Sequence, residues 1–148
     1  MKKLFGVMVT GCLLSLLVEV GAHAQDPGAA IRASIPFDFI VEGKTLTAGK
    51  YEIRRINDEP TGLMIQNVYH RREEALFQTE PTDERRIPNH SLLVFHRYGD
   101  SYFLSEVVTA GEQTGEEINP SHRERELRRE MMSRNQTQPE TVTVAALN

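Results

Sequence analysis

The sequence predicts an all-β protein, a single small antiparallel barrel or sandwich of about six or seven strands with one short C-terminal helix. Three observations carry that expectation. Apolar residues fall on alternate positions in several short runs, as a strand with one buried face requires. The runs recur about every ten residues, separated by stretches rich in Asp, Glu, Asn, Pro and Arg. No helical period is visible before Pro120.

In the first run Ala33, Ile35, Phe37, Phe39 and Val41 line one face, with Ser34, Asp38 and Glu42 opposite. Pro36 has no N–H to give to a ladder, so it belongs at an edge, a bulge or the joint between two short strands. After Gly43, Leu46 and an Ala48-Gly49 turn, Tyr51 and Ile53 resume the alternation, as in a hairpin. Further strands are expected over Leu63 to Val68, Ala75 to Thr79, Ser91 to Tyr98 and Ser101 to Val108, with Gly99-Asp100 as a tight turn between the last two. At Pro120 the texture changes. Ser121 and Glu124 form a capping-box pattern, and the charged run that follows predicts a helix over 121–132 with Leu127 and Met131 inward. Residues 133–148 read as a flexible tail, although the β-favouring Thr141 to Leu147 is able to add a strand to this or another sheet.

The N-terminus has the layout of a cleavable export signal. Lys2 and Lys3 precede a largely apolar run from Leu4 to Val18, and Ala22-His23-Ala24 is a small-x-small cleavage site. The expected organisation is a signal peptide over 1–24, a linker over 25–30, and a β domain with its helix over 31–132. The run falls short of a membrane span of about 20 apolar residues, so the mature chain is expected to have no transmembrane segment. Val9-Thr10-Gly11-Cys12 resembles a lipidation site, but the apolar core continues past Cys12 to Val18, where a lipidated terminus should be polar. The expected location is periplasmic, cell-surface or secreted, away from nucleotides and cytosolic reductants.

Removing Lys2, Lys3 and Glu19 takes the 17 basic and 21 acidic residues to 15 and 20, a mature charge of about −5. The arginine pairs (Arg54-Arg55, Arg71-Arg72, Arg85-Arg86, Arg128-Arg129) are interleaved with acids, so no basic face for nucleic acid is expected. Cys12 is the single cysteine and leaves with the signal, so neither a disulfide nor a thiolate site is expected afterwards.

The runs Ile35-Pro36-Phe37-Asp38-Phe39, Leu46-Thr47-Ala48-Gly49-Lys50-Tyr51 and Phe95-His96-Arg97-Tyr98-Gly99-Asp100-Ser101-Tyr102-Phe103-Leu104 resemble an uncharacterised family of small exported bacterial proteins. Gly111, Gly115 and the Ser121-to-Glu126 segment extend the likeness, and Thr47 stands where that pattern has proline. The resemblance implies export and a compact β domain, and brings no activity or catalytic residue.

Side chains able to do chemistry are scattered. Gly99-Asp100-Ser101 matches the nucleophile triplet of a lipase and esterase family, but Asn119-Pro120-Ser121-His122 lacks the aspartate that would position a base, and a hairpin turn explains Gly99-Asp100. His70, His90, His96 and His122 show no ligand spacing, so no metal or other cofactor is expected. Asp38 and Glu42, Glu73-Glu74, and Asp83-Glu84 read as solvated acids, and no catalytic residue is assigned. The candidate ligand-binding residues are Tyr98, Tyr102 and Arg97, where tyrosine faces would stack on a sugar or partner and Arg97 would hold an acid or pair with Asp100. The expected function is an exported, non-enzymatic β module binding an envelope protein, polymer or small ligand. The alternatives are a small extracytoplasmic hydrolase using Ser101 or a carboxylate pair, and a carrier of an apolar ligand with Ile35, Phe37, Phe39, Tyr51 and Phe95 lining a barrel cavity.

Overall fold

A computed structural model describes residues 30–56, 59, 61–83, 87–134 and 138–147. The expected signal peptide, and the linker up to residue 29, lie outside the described residues. Ten strands and one helix are present among those described: β1 (Ile31–Ile35), β2 (Phe39–Val41), β3 (Lys44–Leu46), β4 (Gly49–Arg55), β5 (Gly62–Asn67), β6 (Glu74–Asp83), β7 (Ser91–Tyr98), β8 (Ser101–Val108), β9 (Thr114–Ile118), α1 (His122–Ser133) and β10 (Glu140–Leu147).

Strands β1, β4, β5, β6, β9, β8, β7 and β10 follow one another round a closed antiparallel ring, which β1–β10 and β8–β9 pairing completes. Closure removes the free edges of an open sheet, so the architecture is a barrel and not a sandwich. Alternation then sets the layers. Ile31, Ala33 and Ile35, with Tyr51, Ile53, Leu63, Ile65, Ala75, Phe77, Leu93, Phe95, Leu104, Val107 and Ile118, form one core. The outer faces of β1, β4 and β5 carry Arg32, Glu52, Arg54 and Gln66, in an ion-pair and hydrogen-bond belt that begins with Arg32 Nε donating to Glu52 Oε2 at 3.1 Å.

One barrel end is plugged by the chain itself. Pro36 is the joint between β1 and β2, and the β2–β3 hairpin crosses that end to lie parallel to β8 through Ile40 and Phe103. Its two-residue turn puts both Glu42 (φ 47°) and Gly43 (φ 76°) in the left-handed region, the backbone a tight hairpin of right-handed twist needs. Phe39, Val41 and Leu46 are thereby buried in the end of the barrel.

The strand count exceeds the six or seven expected because the first alternating run divides at Pro36 into β1 and β2, β3 is too short to display alternation, β9 (Thr-Gly-Glu-Glu-Ile) reads as polar loop, and β10 follows a polar stretch. The flexible tail over 133–148 needs the larger correction: Glu140–Leu147 is a ring strand, paired over seven positions with β7 and two with β1. Its Val142, Val144 and Ala146 face the core, which supplies the energy to order it.

The capping box is realised by half. Ser121 Oγ accepts from the Glu124 N–H at 3.3 Å, but the Glu124 side chain turns to the barrel wall and not back to Ser121. Leu127 and Met131 are half-buried, and the most buried side chain of α1 is Glu124.

Candidate functional site

The end of the barrel opposite the β2–β3 plug holds a cavity of about 480 Å³ between Arg55, Thr61, Thr79, Pro81, Glu112, Thr114 and Glu116. Strand parity explains its lining. Arg55 continues the inward series Tyr51 and Ile53, and Pro81 continues Ala75, Phe77 and Thr79 on β6. Glu116 is the register partner of Pro81 on β9. Arg55 Nη2 donates to Glu116 Oε1 at 2.6 Å, joining β4 to β9 across the lumen although two strands separate them in the ring. Thr79 is buried, with its hydroxyl donated to the Thr61 carbonyl at 3.0 Å. The volume lies within the 300–1,000 Å³ typical of small-molecule sites, and barrel mouths are a usual place for them.

This site was missed in the sequence, where Arg54-Arg55 reads as a solvated pair. Parity is the signal that finds Arg55, because a charged residue at an inward position must meet a counter-charge or water. Glu116 has no such signal, since β9 itself could not be seen.

The three candidate binding residues do not converge. Arg97 and Tyr102 are register partners at the lumen edge of the plugged end, whereas Tyr98 faces outward beneath α1. The Tyr102 ring lies between Phe37, stacked at 4.0 Å, and the Arg97 guanidinium, 5.4 Å from its centroid. Both of its faces are therefore covered. Arg97 pairs with Glu140 at 3.2 Å and donates to the Gly99 carbonyl at 2.8 Å, so its partner is β10 and not Asp100. Tyr98 is buried and meets Phe103 edge-on at 5.7 Å. Neither tyrosine has the open aromatic face that sugar stacking requires.

The rings expected to line an apolar cavity meet one another. Phe37 and Phe95 lie 5.2 Å apart, Phe39 and Phe95 5.6 Å, and Phe39 and Tyr51 5.1 Å, all edge to face, beside the buried Ile35. Packing at these distances fills the space that a ligand at that level would occupy. Ser101 pairs with Tyr98 beside the Gly99-Asp100 turn, and among the described residues no histidine or carboxylate hydrogen-bonds its hydroxyl. No three His, Cys, Asp or Glu side chains among the described residues are grouped to hold a metal, and no described helix is long and apolar enough to cross a membrane.

Comparison of the chain with protein-family models, curated proteins and solved structures finds no match. The site is therefore read from its own geometry.

A second polar cluster sits on the outer wall. Glu124 Oε1 lies 2.9 Å from His96 Nδ1 and accepts from the Tyr98 hydroxyl at 3.3 Å. His96 and Glu124 are 28 positions apart, so no spacing rule links them. At the plugged end, Glu73 Oε2 collects hydrogen bonds from Thr47 (2.9 Å), Asn67 (3.1 Å) and Tyr51 (3.3 Å), tying the β3–β4 turn to the β5–β6 loop.

Burial raises the pKa of both buried tyrosines above the ordinary 10.0. For Tyr98, Arg128 opposes the rise and Glu124 adds to it; for Tyr51, hydrogen bonds with Asn67 and Thr47 oppose it and Glu73 adds to it. A folded-state pKa above the unfolded one contributes stability that is present below pH 10 and is lost as pH rises through the folded value. The midpoint of thermal unfolding should therefore fall as pH climbs above 10, and fall less in a Tyr51→Phe/Tyr98→Phe double variant. An identical alkaline slope in both proteins would remove these tyrosines as its cause.

Proposed function

We propose that this chain is an exported, non-enzymatic binding module whose ligand is a small amphipathic molecule seated in the cavity at the open barrel end. The observation that carries the reading is the Arg55–Glu116 pair set across a cavity of about 480 Å³. Pro81 and the threonine methyl groups provide an apolar wall, while the ion pair and the Thr114 hydroxyl orient a polar end. Such an arrangement binds and orients, and supplies neither an activated nucleophile nor a base aimed at a bond. The N-terminal pattern from Lys2 to Ala24 supports export, and intact-mass analysis of the secreted chain should give a species beginning at Gln25.

Titration with Nile red, an apolar ring system with an uncharged polar end, tests the cavity. Fluorescence should rise saturably with one site per chain while thermal unfolding stays cooperative. Thr114→Trp, which places an indole in the cavity from an exposed position, should weaken binding about tenfold or more, the loss of about 1.4 kcal/mol of contact. Unchanged affinity in Thr114→Trp would place the dye elsewhere and remove the support for this site.

A further inference from the structure

We propose that the groove on the outer wall between α1 and the start of β10 binds a soluble phosphate-type oxyanion, with Arg128 and His96 as its charged ligands. The groove has a volume of about 310 Å³ and is lined by His96, Arg128, Met132, Gln138, Pro139 and Thr141. No carboxylate lines it. Behind it Glu124 is buried and already engaged by His96 Nδ1 and the Tyr98 hydroxyl, and Glu140, between Pro139 and Thr141 in the chain, pairs with Arg97.

That engagement organises the site. An ionised carboxylate only accepts, so His96 donates from Nδ1 and the ring is held with its opposite nitrogen directed away from Glu124. His96 Nε2 has no hydrogen-bond partner among the described residues, and the side chain remains 24% exposed at the groove. With His96 protonated, guanidinium, imidazolium and carboxylate leave one net positive charge beside the groove. Arg128 lies near the Tyr98 hydroxyl, and its planar fork suits two oxygens of a tetrahedral anion. Thr141 is the register partner of His96 on β10 and brings a hydroxyl to the same wall, and Gln138 adds a side-chain amide.

The other side of His96 explains why the anion is confined to one place. A second groove, of about 290 Å³, shares His96 and Thr141 but carries Glu106 and Glu117. The titratable and charged groups facing His96 are thus Glu124 and Arg128 from α1, Tyr98 on its own strand, and Glu106 and Glu117 from β8 and β9. Like-charge repulsion from Glu117 disfavours an oxyanion in the second groove and leaves the Arg128 side as its seat.

The test is isothermal titration calorimetry of the full mature chain with sodium phosphate at about pH 6, where histidine carries much of its charge. Sodium chloride of equal ionic strength is the blank. Single-site saturation with a Kd of about 1 mM or tighter is expected. Arg128→Gln should weaken it about tenfold or more, and Arg128→Lys, which keeps the charge without the fork, severalfold. His96→Gln should also weaken it, with cooperative unfolding retained. Absence of saturable heat up to about 20 mM phosphate, far above that Kd, overturns the proposal. So does an Arg128→Gln or Arg128→Lys affinity equal to that of the unaltered chain. Co-sedimentation with phosphatidylglycerol vesicles without binding of inorganic phosphate would assign the groove to a membrane headgroup and likewise overturn it.

Discussion

Ending the chain before Glu140 should abolish cooperative unfolding. Strand β10 contributes seven register pairs to β7 and two to β1, and its removal leaves both neighbours as open edges. Each lost backbone hydrogen bond removes about 0.5–1.5 kcal/mol net, and the core loses Val142, Val144 and Ala146 as well. Summed over the strand, this approaches or exceeds the whole stability of a domain, about 5–15 kcal/mol. Circular dichroism of the truncated chain should show a broad, non-cooperative melt and increased aggregation. A sharp transition within about 5 °C of the full chain, a shift worth only a kcal/mol or two, would mean that β10 decorates the barrel and does not close it.

The second large effect is expected at Phe95. Its ring is fully buried and meets both Phe37 and Phe39 edge to face, at 5.2 and 5.6 Å, so it joins the plug to the core. Phe95→Ala removes those contacts and leaves a cavity that strands locked in a ring cannot collapse around, a loss of about 3–5 kcal/mol. Urea denaturation should show the midpoint falling with the m-value unchanged. Phe95→Leu, which retains most of the volume, should lose less than half as much. A loss below about 1 kcal/mol in Phe95→Ala, less than a typical core truncation, would show that the plug and core are held by other contacts.

The legibility of these features in the sequence differs element by element. Strands β7 and β8 and their two-residue turn are visible because two apolar, β-favouring runs flank Gly99-Asp100, and Gly99 takes the positive φ of 61° that the turn demands. Strand β9 is invisible because two glutamates stand side by side in it: Glu117 is exposed, whereas Glu116 faces the lumen and is neutralised by Arg55. That ion pair is a tertiary event, made by residues 61 positions apart. The aromatic candidates were readable as residues but not as a site. The register of the two-residue turn puts Tyr98 and Tyr102 on opposite sides of the wall, but the covering of the first by α1 and of the second by Phe37 and Arg97 depends on long-range packing.

What the sequence by itself determined is the strand class, the site of the helix start at Ser121 and the faces of the long strands, all of which depend on residues within a few positions of one another. Only the tertiary structure decided that the ring closes, that the last eight described residues are the strand that closes it, and that Arg55 meets Glu116 and His96 meets Glu124. The physical reason is range. Alternation and capping are local steric and hydrogen-bond preferences, whereas ring closure and ion pairing across a lumen depend on distances that exist only once every strand has taken its register.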